Sequence, residues 1–146
     1  MKKTAHSMVQ EAMEAIRTFS VEEARDLHGR DDVQFIDIRD VRELERDGVI
    51  PGAFHAPRGM LEFWACPESK YHKPQFATGK QLVLFCAAGW RSALASKTLQ
   101  DMGLENVGHI GGGFEAWKNG GGPTGEKPPR AKKAQPPTHP RDDSGR

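Results

Sequence analysis

Cysteine is scarce in this chain: Cys66 and Cys86 are the only two among 146 residues. They form no CxxC pair and share no repeated Cys/His spacing, which argues against a structural metal site and a disulfide-stapled scaffold. One Cys66–Cys86 disulfide stays open, although Cys66, in a polar, Pro-containing stretch, reads equally as a surface thiol. Long apolar runs are missing as well. Nothing after Lys2 and Lys3 has the length of a signal-peptide core or a membrane span, so the expected compartment is the cytoplasm, where thiols stay reduced. Nor is charge of one sign in excess. The 21 Lys and Arg against 20 Asp and Glu leave a formal +1, which points away from nucleic acid and from anionic membrane surfaces. A chain of 146 residues has room for one well-buried core.

Ala5, Met8, Val9, Ala12, Ile16 and Phe19 recur at helical spacing and predict a helix over 4–18 that docks on the body or on a second copy. Ser20 followed by Glu23 fits a capping box and predicts a short helix through Ala24 and Leu27, stopping near Gly29. Strands are predicted at 33–38, 53–56, 81–86 and 107–110, and helices at 41–46, 60–64, 92–102 and 114–118. Residues 66–79, rich in Pro, His, Lys and Ser, form a long excursion. Strands alternating with helices argue for an α/β fold with a parallel sheet covered on both faces. From 119 to 146 the chain is Gly, Pro, Lys and Arg with almost no apolar residues, and is expected to be a disordered, mildly basic tail.

One of the two thiols stands at a chemically loaded position. Leu82 to Phe85 is apolar strand, Cys86 closes it, and Ala87, Ala88, Gly89, Trp90, Arg91 and Ser92 lead into a helical pattern. The first turn of a helix has N–H groups without intrahelical partners, and these, with the helix dipole, favour an anion. Thiolate is the reactive form of cysteine, so such a seat lowers the thiol pKa from about 8.5. Ala87, Ala88 and Gly89 let the backbone wrap closely around the sulfur, and Arg91 adds positive charge. Cys86 is therefore expected to be a nucleophile, with the amides of Ala87 to Ser92 as its anion cradle. In open α/β sheets reactive groups gather at the carboxyl ends of the strands, where Cys86 falls.

The 86–92 stretch resembles the active-site loop of the rhodanese family of sulfurtransferases. Asp37-Ile38-Arg39-Asp40, Arg42-Glu43 and the run from Gly48 to Gly59 resemble the upstream signature of that family, and His109 to Trp117 resembles its closing segment. The match covers 18–118, leaving 1–17 as a helical extension and 119–146 as the tail. It implies a rhodanese-like α/β fold, with a central, mostly parallel five-stranded sheet flanked by helices on both faces. It also implies transfer of a sulfane sulfur from a donor such as thiosulfate or polysulfide, through a persulfide on Cys86, to a thiol, cyanide or protein acceptor. No cofactor or metal is needed, and a homodimer stays open.

Four residues separate Cys86 from Arg91. The cysteine phosphatases that resemble rhodaneses place five there, enough to surround a phosphate, so a phosphatase or arsenate reductase is the alternative reading. A non-catalytic sulfur carrier or binding module is a third. Arg58 matches the family's position for an arginine near the substrate, and Arg91 either binds an anionic donor or braces the loop through a carboxylate. Trp90 is expected to wall the entrance. The loop has no lysine, unlike that of some thiosulfate-using members. Asp37, Arg39 and Glu43 read as caps and ion pairs that tie strand to helix. His55 and His109 read as packed, hydrogen-bonded residues, and Gly111 to Gly113 as a turn adjoining the active loop.

Overall fold

The computed structural model describes residues 1–129. Helix α1 (Ala5–Ala15) begins in a reciprocal cap between Thr4 and Ser7. The helix expected over 4–18 ends early because Arg17–Phe19 is a strand, β1, paired in parallel with the strand at 107–110. Phe19 fits the helical stripe in the sequence, but sheet pairing takes it, together with Arg17 and Thr18. The sheet thus starts at Arg17, one residue before the expected domain boundary.

The capping boxes at Ser20/Glu23 and Asp40/Glu43 open α2 (Val21–Leu27) and α3 (Val41–Asp47), on either side of β2 (Val33–Asp37). A short β3 (Phe54–His55) passes through a tight turn at Arg58–Met60 into α4 (Leu61–Ala65). The excursion that follows is anchored by Phe76, 3% exposed, whose ring packs edge-on against Phe54 at 6.2 Å. Then come β4 (Gln81–Phe85), α5 (Trp90–Asp101), β5 (Val107–Ile110) and α6 (Gly113–Asn119). Helix α5 starts two residues before the predicted 92, which puts Trp90 and Arg91 in its first turn.

The five strands form one sheet in the order β1-β5-β4-β2-β3, and every pairing is parallel. Central β4 explains its own apolar run. Leu82 and Leu84 point into one core with Ile36, Leu61, Ala95 and Leu99, whereas Val83 and Phe85 point into the other with Phe35, Ile110, Phe114 and Trp117. Burying a Leu or Phe side chain contributes about 1.5–3 kcal/mol, so this strand holds both layers together.

The described part of the expected tail, 119–129, is tied to the body over 120–125, beyond the expected boundary at 118. Arg25 donates to Gly120 O at 3.1 Å, the Trp117 indole N–H donates to Pro123 O at 2.9 Å, and Val49 and Gly125 exchange backbone hydrogen bonds of 2.8 and 2.9 Å. Gly122 lies flat on Trp117; a Cβ there would stand 2.3 Å from a ring carbon. Composition predicted disorder because glycine buries no side chain, yet that same absence lets the backbone itself cover the indole. Residues 130–146 of the expected tail lie outside the described residues. Among the described residues no helix is long and apolar enough to cross a membrane.

Candidate active site

Cys86 stands just past the carboxyl end of β4, and the left-handed backbone at Gly89 (φ 104°) turns the chain back over it into α5. No side chain caps α5. Its first N–H groups turn to the sulfur instead: Gly89 N and Ser92 N donate to Cys86 Sγ at 3.2 and 3.4 Å. Of the cradle expected from Ala87 to Ser92, these are the two amides that reach the sulfur. The residue is 1% exposed, while Ala88, Trp90 and Arg91 form the exposed outer side of the loop, with Trp90 at 71%.

The loop is held from behind by the Gly111–Gly113 turn and the start of α6. Phe114 N donates to Cys86 O at 2.7 Å and Glu115 N to Ala87 O at 3.0 Å. Gly113 permits this approach, with φ 64° and an open side, since a Cβ there would lie 2.6 Å from Cys86 O. Fixing the loop carbonyls in this way leaves its amides facing the sulfur.

Arg91 takes the bracing role of the two left open by its sequence. Its guanidinium grips Glu43 with two hydrogen bonds of 2.8 and 2.9 Å, tying the loop to α3. Glu43 is also the N3 residue of the α3 capping box, accepting from Asp40 N at 3.0 Å. The hydrogen bonds from Arg91 hold its carboxyl below the usual glutamate range, and Glu43 in return raises the Arg91 pKa, with Cys86 adding to it. Arg58 donates to Glu62 at 2.9 Å and makes no hydrogen bond to the Cys86 loop. Its own N–H donates to Ile38 O at 3.1 Å, so it sits in a turn at the same end of the sheet as Cys86.

Beneath the loop, Asp37 and Arg39 form a buried ion pair, each 1% exposed. Arg39 Nη2 reaches Asp37 at 2.7 Å and Gly48 O at 2.8 Å, and its guanidinium lies 4.3 Å from the centre of the Phe114 ring. His55 Nε2 meets Arg39 O at 2.7 Å. Cys66 and Cys86 are both free thiols, so the disulfide left open by the sequence is not formed.

His109 is packed and hydrogen-bonded, as its place in a strand pattern suggested, and what that pattern could not show is its contact with the Cys86 loop. Its Nδ1 lies 2.8 Å from Ser92 Oγ, which lies 3.5 Å from Cys86 Sγ. Burial pushes its pKa down to about 4. As pH falls, the unfolded chain therefore takes up this proton first, near 6.5, and the folded chain only near 4. Stability from the neutral ring is complete above about 6.5 and is lost between there and about 4, by roughly 3 kcal/mol in all. Urea unfolding at pH 7 and pH 5 is expected to show a lower midpoint at pH 5, and His109→Asn is expected to narrow that gap.

The fold and the strand-to-helix loop define a class of parallel-sheet α/β proteins with a cysteine at the carboxyl end of the central strand. The rhodanese-like domain model matches residues 20–120, and the chain belongs to that family. A mitochondrial thiosulfate sulfurtransferase of Saccharomyces cerevisiae is 30% identical over 118 residues, covering 74% of this chain and 76% of its own. A solved structure from Rhodopseudomonas palustris, of unknown function and described as a possible tyrosine phosphatase, is 52% identical, with TM-score 0.83 over 85% of this chain and 96% of its own. The polysulfide-sulfur transferase homodimer of Wolinella succinogenes is 27% identical, with TM-score 0.63 over 87% of this chain and 90% of its own. The chain spans 55% to 64% of the length of two further curated relatives.

Proposed function

We propose that this protein is a single-domain sulfurtransferase working through a persulfide on Cys86. The observation that carries this reading is the seat of Cys86 Sγ at the N-terminus of α5, with the amides of Gly89 and Ser92 aimed at it. Two N–H donors and the positive end of a helix stabilise a thiolate and, after reaction, the terminal sulfur of a persulfide. With thiosulfate as donor, the thiolate attacks the outer sulfur, an S–S bond forms on Cys86, and the donor's S–S bond breaks with its electron pair leaving on sulfite. A thiol or cyanide acceptor, or a protein thiol, then attacks that terminal sulfur and the Cys86 thiolate departs. The persulfide is the only carrier, with no cofactor or metal, and the reduced thiol it starts from suits the cytoplasm. Arg58, at the same end of the sheet, is retained as a contact for an anionic donor.

A cysteine-dependent phosphatase is the second reading, favoured by the description of the 52% identical Rhodopseudomonas structure. Two observations count against it. The Cys86–Arg91 loop is one residue short of the phosphatase spacing, and both ends of the Arg91 guanidinium are occupied by Glu43. Intact mass after incubation with thiosulfate or polysulfide separates the readings. Gain of one sulfur atom, removed by dithiothreitol or cyanide, is the expected result. No adduct from either donor, together with hydrolysis of an aryl phosphate, would sink the sulfurtransferase reading.

A further inference from the structure

Cys86 has to shed its thiol proton before it can attack, yet the residue is 1% exposed. A continuous line of hydrogen-bonding groups leads away from it. Ser92 Oγ lies 3.5 Å from Cys86 Sγ and 2.8 Å from His109 Nδ1, and His109 Nε2 lies 3.1 Å from Thr18 Oγ1. Ser92 and His109 are buried, at 0% and 1%, whereas Thr18 is exposed on the edge strand β1, in register with His109.

We propose that Ser92, His109 and Thr18 form a proton relay that carries the Cys86 thiol proton to solvent at the edge of the sheet; the inference rests on Cys86 being the nucleophile of the reaction above. In the thiol state the Cys86 S–H donates to Ser92 Oγ, the Ser92 hydroxyl to His109 Nδ1, and the Nε2 proton to Thr18 Oγ1. The Thr18 hydroxyl then points to Met13 Sδ, 3.8 Å away, or to water. On ionisation each proton moves one place outward. The S–H bond breaks as a new Ser92 O–H forms, the old Ser92 proton goes to Nδ1, the Nε2 proton goes to Thr18, and the old Thr18 proton goes to water acting as base. One proton leaves, the negative charge stays on sulfur alone, and every hydroxyl and ring N–H now donates back along the line toward it.

The ring only exchanges tautomers in this step, so it has to stay neutral. Its burial ensures that, because an imidazolium forms only near pH 4 and would be a donor at both nitrogens. The groups that hydrogen-bond to the ring are equally uncharged, Thr18 from β1 and Ser92 from α5, and its register partner on β4 is Leu84. Arg91 of α5, the charged side chain next to Ser92, is turned to Glu43. Gly89 O competes for the Ser92 hydroxyl, but at 3.3 Å it is farther than the ring nitrogen.

The test is the pH dependence of Cys86 alkylation by iodoacetamide in the full chain carrying Cys66→Ser. Ser92→Ala and His109→Leu are each expected to move the midpoint to higher pH by about tenfold in proton concentration, the size of one hydrogen bond to an anion. Thr18→Val is expected to move it in the same direction by about threefold, since removing the far end of the line weakens its polarity. Rates above the midpoint should converge on the parent, whereas a merely loosened loop would alter that plateau. Thr18→Val changes an exposed side chain to one of the same shape, so it decides the matter even where His109→Leu does not fold. An unmoved midpoint in Thr18→Val, or in folded His109→Leu, overturns the relay. Alkylation needs no sulfur donor, so moved midpoints in a chain that transfers no sulfur would keep the relay and refute the sulfurtransferase reading alone.

Discussion

Replacing Cys86 by serine is expected to reduce sulfur transfer by on the order of a thousandfold or more, as deletion of a nucleophile does elsewhere. A serine hydroxyl is far weaker as a nucleophile at neutral pH than a thiolate, and it cannot hold a terminal sulfur in an exchangeable S–S bond. The fold should survive. The serine oxygen can accept the same two hydrogen bonds from Gly89 N and Ser92 N, and the site differs by one atom of similar size. The measurement is thiocyanate release from thiosulfate and cyanide, paired with thermal unfolding of the same samples. Turnover near the parent rate would remove Cys86 from the reaction. Loss of both turnover and folding would instead assign the residue to the core, where it packs beside Ile38 and Leu84.

Arg39→Leu is expected to destabilise the chain by about 3–5 kcal/mol, because it leaves the Asp37 carboxylate buried without its partner. For a domain of this size that is a fall in Tm of roughly 10–15 °C. The arginine does more than neutralise charge. It joins three elements, with Asp37 at the end of β2, Gly48 O just after α3, and the Phe114 ring at the start of α6. Phe114 N in turn holds Cys86 O, so the loop is expected to loosen along with the core. The double variant Asp37→Leu/Arg39→Leu should recover part of the loss, since a buried pair replaced by apolar groups costs much less than one broken. Thermal melts of the two variants check this. A double variant no more stable than the single one would mean that the Gly48 and Phe114 contacts, rather than the unpaired charge, dominate.

The start of α2 and the strand-to-helix turn after Cys86 were readable because their causes lie within a few residues. Ser20 and Glu23 reach each other across one turn and their box forms as read, and Asp40 and Glu43 form a second box of the same kind. The failures have the opposite origin. At Phe19 an apolar residue satisfied the helical period, and only the neighbouring strand β5 pulled it into the sheet. At 120–125 the composition is that of a tail, and only Trp117 and Val49 make it part of the body. Glu43 was readable as a cap, but not as the carboxylate that locks Arg91, which lies 48 residues further on.

Local patterning was thus enough to set a sulfur at a strand-to-helix turn, with small residues around it and an arginine next to the helix start. Those features follow from propensity and from backbone groups left unpaired at a helix start, which act over a handful of residues. Strand order and register were needed for everything beyond the loop. Thr18 and His109 are 91 residues apart and meet only because β1 and β5 pair in parallel. Ser92 joins them only because α5 leaves β4, the other neighbour of β5, with its first turn against the carboxyl end of the sheet. Such meetings depend on how layers stack, and a one-residue slip of β1 would turn Thr18 to the opposite face.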